Sequence, residues 1–278
     1  MSRLIEDVEA DRELKSKHKA MWSMGDYPAV AAEVIPATGP RLVEACGVHA
    51  GQRVLDVGAG SGNAAIPAAL TGAQVVASDL APELLEVGRR SAEAQGAVLE
   101  WQEADAEALP YADGEFDVVM SCVGVMFAPH HQAAADELVR VCSPGGTIGL
   151  LSWTPEGFIG QMFATMKPYA PPPPPGAQPP PLWGDESHVR SLLGDRVTDV
   201  VARKEMLTVD RFASPVEMRE FFKLTYGPTI AVYRNIADDP AKVEALDRDL
   251  ADLAGRHFAP TEPTMGWEYL LLTAVRQG

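Results

Sequence analysis

The segment Val54-Leu55-Asp56-Val57-Gly58-Ala59-Gly60-Ser61-Gly62 constrains this chain more than any other. A short β-prone run enters three glycines at alternate positions, and a helix-forming stretch, 63–70, follows. Glycines there accept positive φ and let a ligand touch the backbone, while the helix N-terminus aims unpaired amides at the same place. A nucleotide-like ligand belongs on this turn, although ordinary tight strand-to-helix turns also use glycine.

The same alternation continues along the chain. Strands are expected at 53–57, 74–79, 98–102, 116–121 and 147–152, with helices at 63–70, 82–95 and 132–141, the last stopped by Ser143-Pro144-Gly145-Gly146. Repeated β-then-α units whose strands are apolar on both faces give a mostly parallel sheet with helices on each side, an α/β, doubly wound, Rossmann-like architecture. Before it, 4–24 has helical periodicity, breaks at Gly25-Asp26-Tyr27-Pro28, and resumes as an apolar stretch at 29–35, so two helices precede the core. After it comes a stiff proline-rich connector, with prolines at 171–175 and 179–181. Helices are then expected at 186–193, 215–226 and 240–256, a long strand at 197–209, and a final edge strand at 267–275, which brings the sheet to seven strands. The regions are an N-terminal helical lid (1–45), a ligand-binding core (46–153), and a cap insert with the closing strands (154–278).

Two acids follow strand ends as the glycine turn does. Asp79 ends the second strand, where a carboxylate can accept both ribose hydroxyls of a nucleoside at the switch point of the sheet; its competing role is to cap the helix starting near Pro82. Asp105 follows the third strand, in reach of an adenine amino group. A dinucleotide fingerprint would place its last glycine where this chain has Asn63, and the acid at Asp56 would repel a pyrophosphate but suits a sulfonium, so an NAD-dependent dehydrogenase is disfavoured.

The run 54–153 resembles class I S-adenosylmethionine-dependent methyltransferases, particularly the ubiquinone/menaquinone-biosynthesis-like (type 11) branch. The likeness rests on the glycine turn, Asp79, Asp105-Ala106-Glu107-Ala108-Leu109-Pro110, Phe116-Asp117-Val118-Val119 and Leu138-Val139-Arg140-Val141-Cys142-Ser143-Pro144-Gly145-Gly146. It implies S-adenosyl-L-methionine as cofactor, with Gly58 and Gly60 toward the methionine part, Asp79 at the ribose, Asp105 and Ala106 at the adenine, Ser121 beside the cofactor, and Asp56 and Leu80 among the cofactor-binding residues.

Methyl transfer is an in-line displacement that needs alignment and exclusion of water, so little acid–base machinery is obligatory. A base matters only for an acceptor that arrives protonated; His131, and after it His130, follow the fourth strand and are the candidates, although histidines at a helix start are often inert. Trp22, beside the Gly25 hinge, is suited to a lid over the cofactor or to core packing. Aromatic groups at 157–163 and 221–226 favour a small hydrophobic or aromatic acceptor if they face the cofactor. A protein or peptide acceptor, and a cofactor-binding regulator without activity, are the alternatives.

Charge narrows the partners. With 39 acidic against 23 basic side chains and a net charge of −16, the chain repels phosphate backbones, so no nucleic-acid partner is expected. Cys46, Cys122 and Cys142 lack metal spacing and disulfide regularity, so no metal is expected and the thiols are read as reduced. Apolar runs are too short to span a membrane, and acidic residues stand where a secretory signal would be apolar, which points to a cytoplasmic protein.

Overall fold

The structure, a computed structural model, describes residues 2–174, 176–259 and 261–278, with side chains from residue 11 onward. Pro175, counted above in the proline run, lies outside the described residues. In chain order the elements are α1 (Ser2–Trp22), α2 (Tyr27–Ala29), one π turn (Val30–Val34), α3 (Thr38–Ala45), β1 (Arg53–Val57), α4 (Ala65–Leu70), β2 (Gln74–Asp79), α5 (Pro82–Gln95), β3 (Glu100–Glu103) and β4 (Phe116–Cys122). They continue with α6 (His131–Val141), β5 (Cys142–Trp153), α7 (Phe158–Met166), α8 (Glu186–Leu193), β6 (Val197–Val209), α9 (Pro215–Thr225), α10 (Gly227–Asn235), α11 (Pro240–His257) and β7 (Met265–Arg276).

The strands form one sheet in the order β3-β2-β1-β4-β5-β7-β6. β1 pairs in parallel with β2 on one side and β4 on the other, so the strand order reverses between β1 and β4, and a crevice opens beyond their carboxyl ends. Val54, Leu55, Val118, Val119 and Met120 are fully buried, as strands covered on both faces require. Among the described residues no helix is long and apolar enough to cross a membrane.

Three expectations need correction. The last strand is not the edge: β7 runs antiparallel between β5 and β6, and its apolar run is buried along most of its length, whereas β6 alternates exposed and half-buried positions as an edge strand should. The third strand starts later than expected, because Val98 remains outside the ladder and exposed. Helix α3 is additional: its opening Thr38-Gly39-Pro40 reads as a breaker, but proline is tolerated in the first turn of a helix, where its missing N–H would be unpaired anyway.

Candidate active site

The crevice is a cleft partly open to solvent. Gly58 and Gly60 come from the turn after β1, Asp79 and Leu80 from the end of β2, Asp105 and Ala106 from the loop after β3, and Val123, Gly124 and Phe127 from the loop after β4. Lys15, His18 and Trp22 of α1, with Tyr27, close it from the N-terminal side. Of the expected residues, Trp22, Gly58, Gly60, Asp79, Leu80, Asp105 and Ala106 therefore meet around one space, and Asp56, Ser121 and His131 do not line it.

Backbone packing explains the glycine turn. Gly58 has φ +67°, and a Cβ there would stand 2.7 Å from the Cα of Gly124, so the turn after β1 and the exit from β4 approach too closely for any side chain. Gly60 has φ +55°, and a Cβ there would meet the Tyr27 ring at 3.5 Å, within the space a ligand would use.

Asp79 serves the backbone as well as the cleft. Gly60 N–H donates to its Oδ2 (2.8 Å) and Ala81 N–H to its Oδ1 (2.9 Å), so one carboxylate ties the glycine turn to the entry of α5. Burial pushes its pKa up against these amides, which favour the charged form. A carboxylate has about four acceptor positions, which leaves capacity for two ribose hydroxyls.

Asp56 lies beneath the turn, 1% exposed, and neither carboxylate oxygen has a normal hydrogen bond. Burial raises its pKa to about 8, opposed only by the Ala65 amide, and nearby Asp79 pushes it the same way. A buried carboxyl without a partner disfavours an anion on the turn above it, so the turn suits a cationic ligand better than a pyrophosphate.

Ser121 is a brace behind the cleft. Its hydroxyl donates to the Val57 carbonyl (2.5 Å) and accepts from Val125 N–H (2.8 Å), tying the end of β1 to the loop after β4. Both of its hydrogen-bonding directions are used inside the core.

His131 corrects the expectation of a base there. It is fully buried, its Nδ1 is 2.9 Å from Nε2 of His188 on α8, and its ring packs on Trp183. Burial lowers its pKa to about 4, with a further push from His188. The first turn of α6 faces α8, not the cleft, so the residue is a neutral core histidine. Its folded pKa lies below the ordinary 6.5, so the unfolded chain binds more protons between these values and stability drops as pH falls from about 6.5 toward 4. His131→Phe should flatten that acid limb of a Tm–pH profile by up to about 3 kcal/mol equivalent; an unchanged profile would show that His131 is not its source.

Lys15 is the residue the sequence did not single out. Its ammonium lies 2.5 Å from Asp105, 3.0 Å from Glu107 and 3.1 Å from Asp11. Glu107 in turn accepts from His130 N–H (2.7 Å) and lies 2.9 Å from His130 Nδ1. Asp11, Glu107 and His130 have the closeness of a metal trio, but two of them, Asp11 and Glu107, already hold the ammonium of this lysine. The network pins α1 over the Asp105 end of the cleft, helped by Lys19 on Glu103. Trp22 completes the closure, with its ring 4.6 Å from Phe127 and 5.2 Å from Tyr27, edge to face. Lys15→Met leaves three carboxylates facing one another and should weaken docking of α1 by about 2 kcal/mol, read as roughly 30-fold faster amide exchange over 11–22. Exchange at the wild-type rate would show that the ion pairs do not hold the lid.

The comparisons with known proteins agree with this geometry. A family profile described as "Methyltransferase domain" matches residues 55–150, which spans the glycine turn through β5. An uncharacterized protein of Mycobacterium tuberculosis, Rv1405c, is 52% identical over 267 residues, 96% of this chain and 97% of its own. Demethylmenaquinone methyltransferase of Thermus thermophilus is 38% identical over 127 residues, 44% of this chain and 58% of its own. Phosphoethanolamine N-methyltransferase 2 of Haemonchus contortus, solved with S-adenosyl-L-methionine, shares the fold with a TM-score of 0.53 at 16% identity, covering 86% of this chain and 52% of its own. With the methyltransferase profile over its glycine turn and a demethylmenaquinone methyltransferase among its relatives over the same region, this chain belongs to the class I S-adenosylmethionine-dependent methyltransferase family.

Proposed function

We propose that the protein transfers a methyl group from S-adenosyl-L-methionine to a small, uncharged, hydrophobic or aromatic acceptor. The observation that carries this is the meeting of Gly58, Gly60, Asp79 and Asp105 with an aromatic wall of Trp22, Tyr27 and Phe127 around one cleft. The cofactor found in the phosphoethanolamine methyltransferase and the partial likeness to a demethylmenaquinone methyltransferase support the cofactor and the acceptor class respectively.

When bound, the cofactor would supply a methyl on a positively charged sulfur: the carbon–sulfur pair would return to sulfur as a lone pair of the acceptor takes the methyl, and the proton of the acceptor atom would leave to solvent. The chain's own residues bind, orient and keep dry. Asp79 would accept the ribose hydroxyls while holding the Gly60 amide, Asp105 would take the adenine amino group beside Lys15, and Asp56, mostly neutral in the ligand-free protein at pH 7, would ionise beneath the turn when a cation binds above it. Trp22 and Phe127 shut out water, which would otherwise screen these charges and compete as a nucleophile. Burial keeps the Tyr27 and Tyr226 phenols protonated.

Radiolabelled S-adenosylmethionine incubated with the protein and a deproteinised metabolite extract tests this reading. Label in an organic-soluble, low-mass product is expected. Label only on protein, or none above a heat-killed control, would overturn it.

A further inference from the structure

A second cavity lies behind the first. Tyr27 and Val123 line both, which makes them the wall between the two. Beyond the wall the lining is apolar and largely aromatic, with Trp153, Phe222, Tyr226 and Trp267 over the carboxyl end of β5 and the start of β7. No side chain lining this second space carries a formal charge. The polar groups its lining residues carry are the Tyr27 and Tyr226 hydroxyls and the indole N–H groups of Trp153 and Trp267, the last of which is buried and lacks a hydrogen-bond partner.

The wall has an unusual backbone. Val123 holds φ +62°, a left-handed conformation that costs a β-branched residue roughly 1–2 kcal/mol and recurs where strain serves function. Tyr27 sits on a three-residue helix bounded by Gly25, at φ +72°, and by the π turn Val30–Val34, closed by Ile35 N–H on the Val30 carbonyl (3.3 Å). Single π turns are rare and occur frequently at functional sites. As it stands the second cavity has room for about one water molecule, so entry of a larger guest requires the wall to open.

We propose that Tyr27 is a movable partition between the cofactor cleft and an acceptor chamber, and that this chamber selects an uncharged ring-bearing molecule with a hydroxyl or carbonyl oxygen. The proposal rests on the methyltransferase reading and names the part of the molecule that sets its substrate class. A charged guest would lose its hydration to a lining that offers no counter-charge, whereas an oxygen acceptor satisfies the Trp267 N–H and can bond either phenol. Ammonium- or carboxylate-bearing acceptors are excluded by the same lining.

Calorimetry with 2-naphthol, 2-naphthoate and 1-naphthylmethylammonium, on protein saturated with S-adenosylhomocysteine, tests the chamber without turnover. 2-Naphthol should bind at least tenfold more tightly than either ion. Ile159→Phe, which fills the chamber, should weaken 2-naphthol at least tenfold with S-adenosylhomocysteine affinity unchanged, and Tyr226→Phe, which removes one hydroxyl and little volume, should weaken it several-fold. Tyr27→Ala should raise the 2-naphthol association rate at least tenfold, followed by tryptophan fluorescence. Equal affinity for the ions, or 2-naphthol binding that neither Ile159→Phe nor Tyr226→Phe alters, overturns the chamber; an association rate unchanged in Tyr27→Ala overturns the partition. Failure of the wild type to bind S-adenosylhomocysteine would instead overturn the methyltransferase reading.

Discussion

Asp56→Asn should make the ligand-free protein more stable at neutral and alkaline pH while weakening its hold on the cofactor. The folded pKa of Asp56 is raised from 3.8 to about 8, so its contribution is intact below pH 3.8 and is lost as pH climbs toward 8. At pH 8 the wild type bears a buried, unpartnered carboxylate that the asparagine variant lacks. Shifts of that size correspond to several kcal/mol, but a buried amide also leaves unpaired groups, so the net gain is set at about 2 kcal/mol or more, or roughly 5 °C in Tm. The gain should shrink toward zero near pH 4, where the wild-type carboxyl is already neutral. Opposite behaviour is expected with ligand: a cation that pairs with Asp56 stabilises its charged form, so binding at pH 7 should release a proton from the wild type and none from the variant. Calorimetry in two buffers of different ionisation enthalpy measures that release, and thermal scans from pH 4 to 8 measure the rest. Identical Tm–pH profiles would show that Asp56 is not charged at a cost in the fold, and identical proton release would separate it from the cofactor.

Asp79→Ala should produce the largest loss of cofactor affinity of any single change, at least a hundredfold. Two separate effects add. The ribose loses a charge-assisted partner worth about 2 kcal/mol, and the Gly60 and Ala81 amides lose the carboxylate that sets the shape of the turn, at roughly 1–2 kcal/mol more. Asp79→Asn separates them, because the amide oxygen can still accept from one backbone N–H while the charge is gone. It should recover part of the melting temperature and little of the affinity. Titration of S-adenosylhomocysteine into all three proteins, with a thermal scan of each, decides the matter. An alanine variant that binds as the wild type would reduce Asp79 to a helix cap, the competing role its sequence position already allowed.

The two halves of the site were not equally legible. The strand, glycine turn and following helix are a local pattern, because positive φ at Gly58 and Gly60 is a property of the residues themselves. Asp79 and Asp105 could be placed from strand ends alone, since every parallel strand of such a sheet ends at the same edge. Lys15 could not: it belongs to a helix of ordinary solvated charge, and its partners Asp105 and Glu107 are about ninety residues away, so only docking of α1 brings them together. Ser121 and His131 failed for a related reason. Closeness in sequence to a strand end does not say which way a side chain turns, and Ser121 turned to the Val57 carbonyl while His131 turned under α8.

What the sequence by itself determined was therefore the architecture and the cofactor edge, where backbone conformation, apolar periodicity and parallel connections act over a few residues and need no distant partner. The tertiary structure alone decided the order of the closing strands, the burial of Asp56 without a partner, the ionic latch at Lys15 and the wall that Tyr27 and Val123 make between two cavities. Each of these depends on which surfaces meet after the chain has crossed the sheet. β7 lies inside β6 because its register with β5 buries Leu270, Leu271 and Leu272, and that pairing spans more than a hundred residues of chain. Energies of this kind, burial, ion pairing and desolvation, are functions of distance in space, and no local pattern in the sequence encodes them.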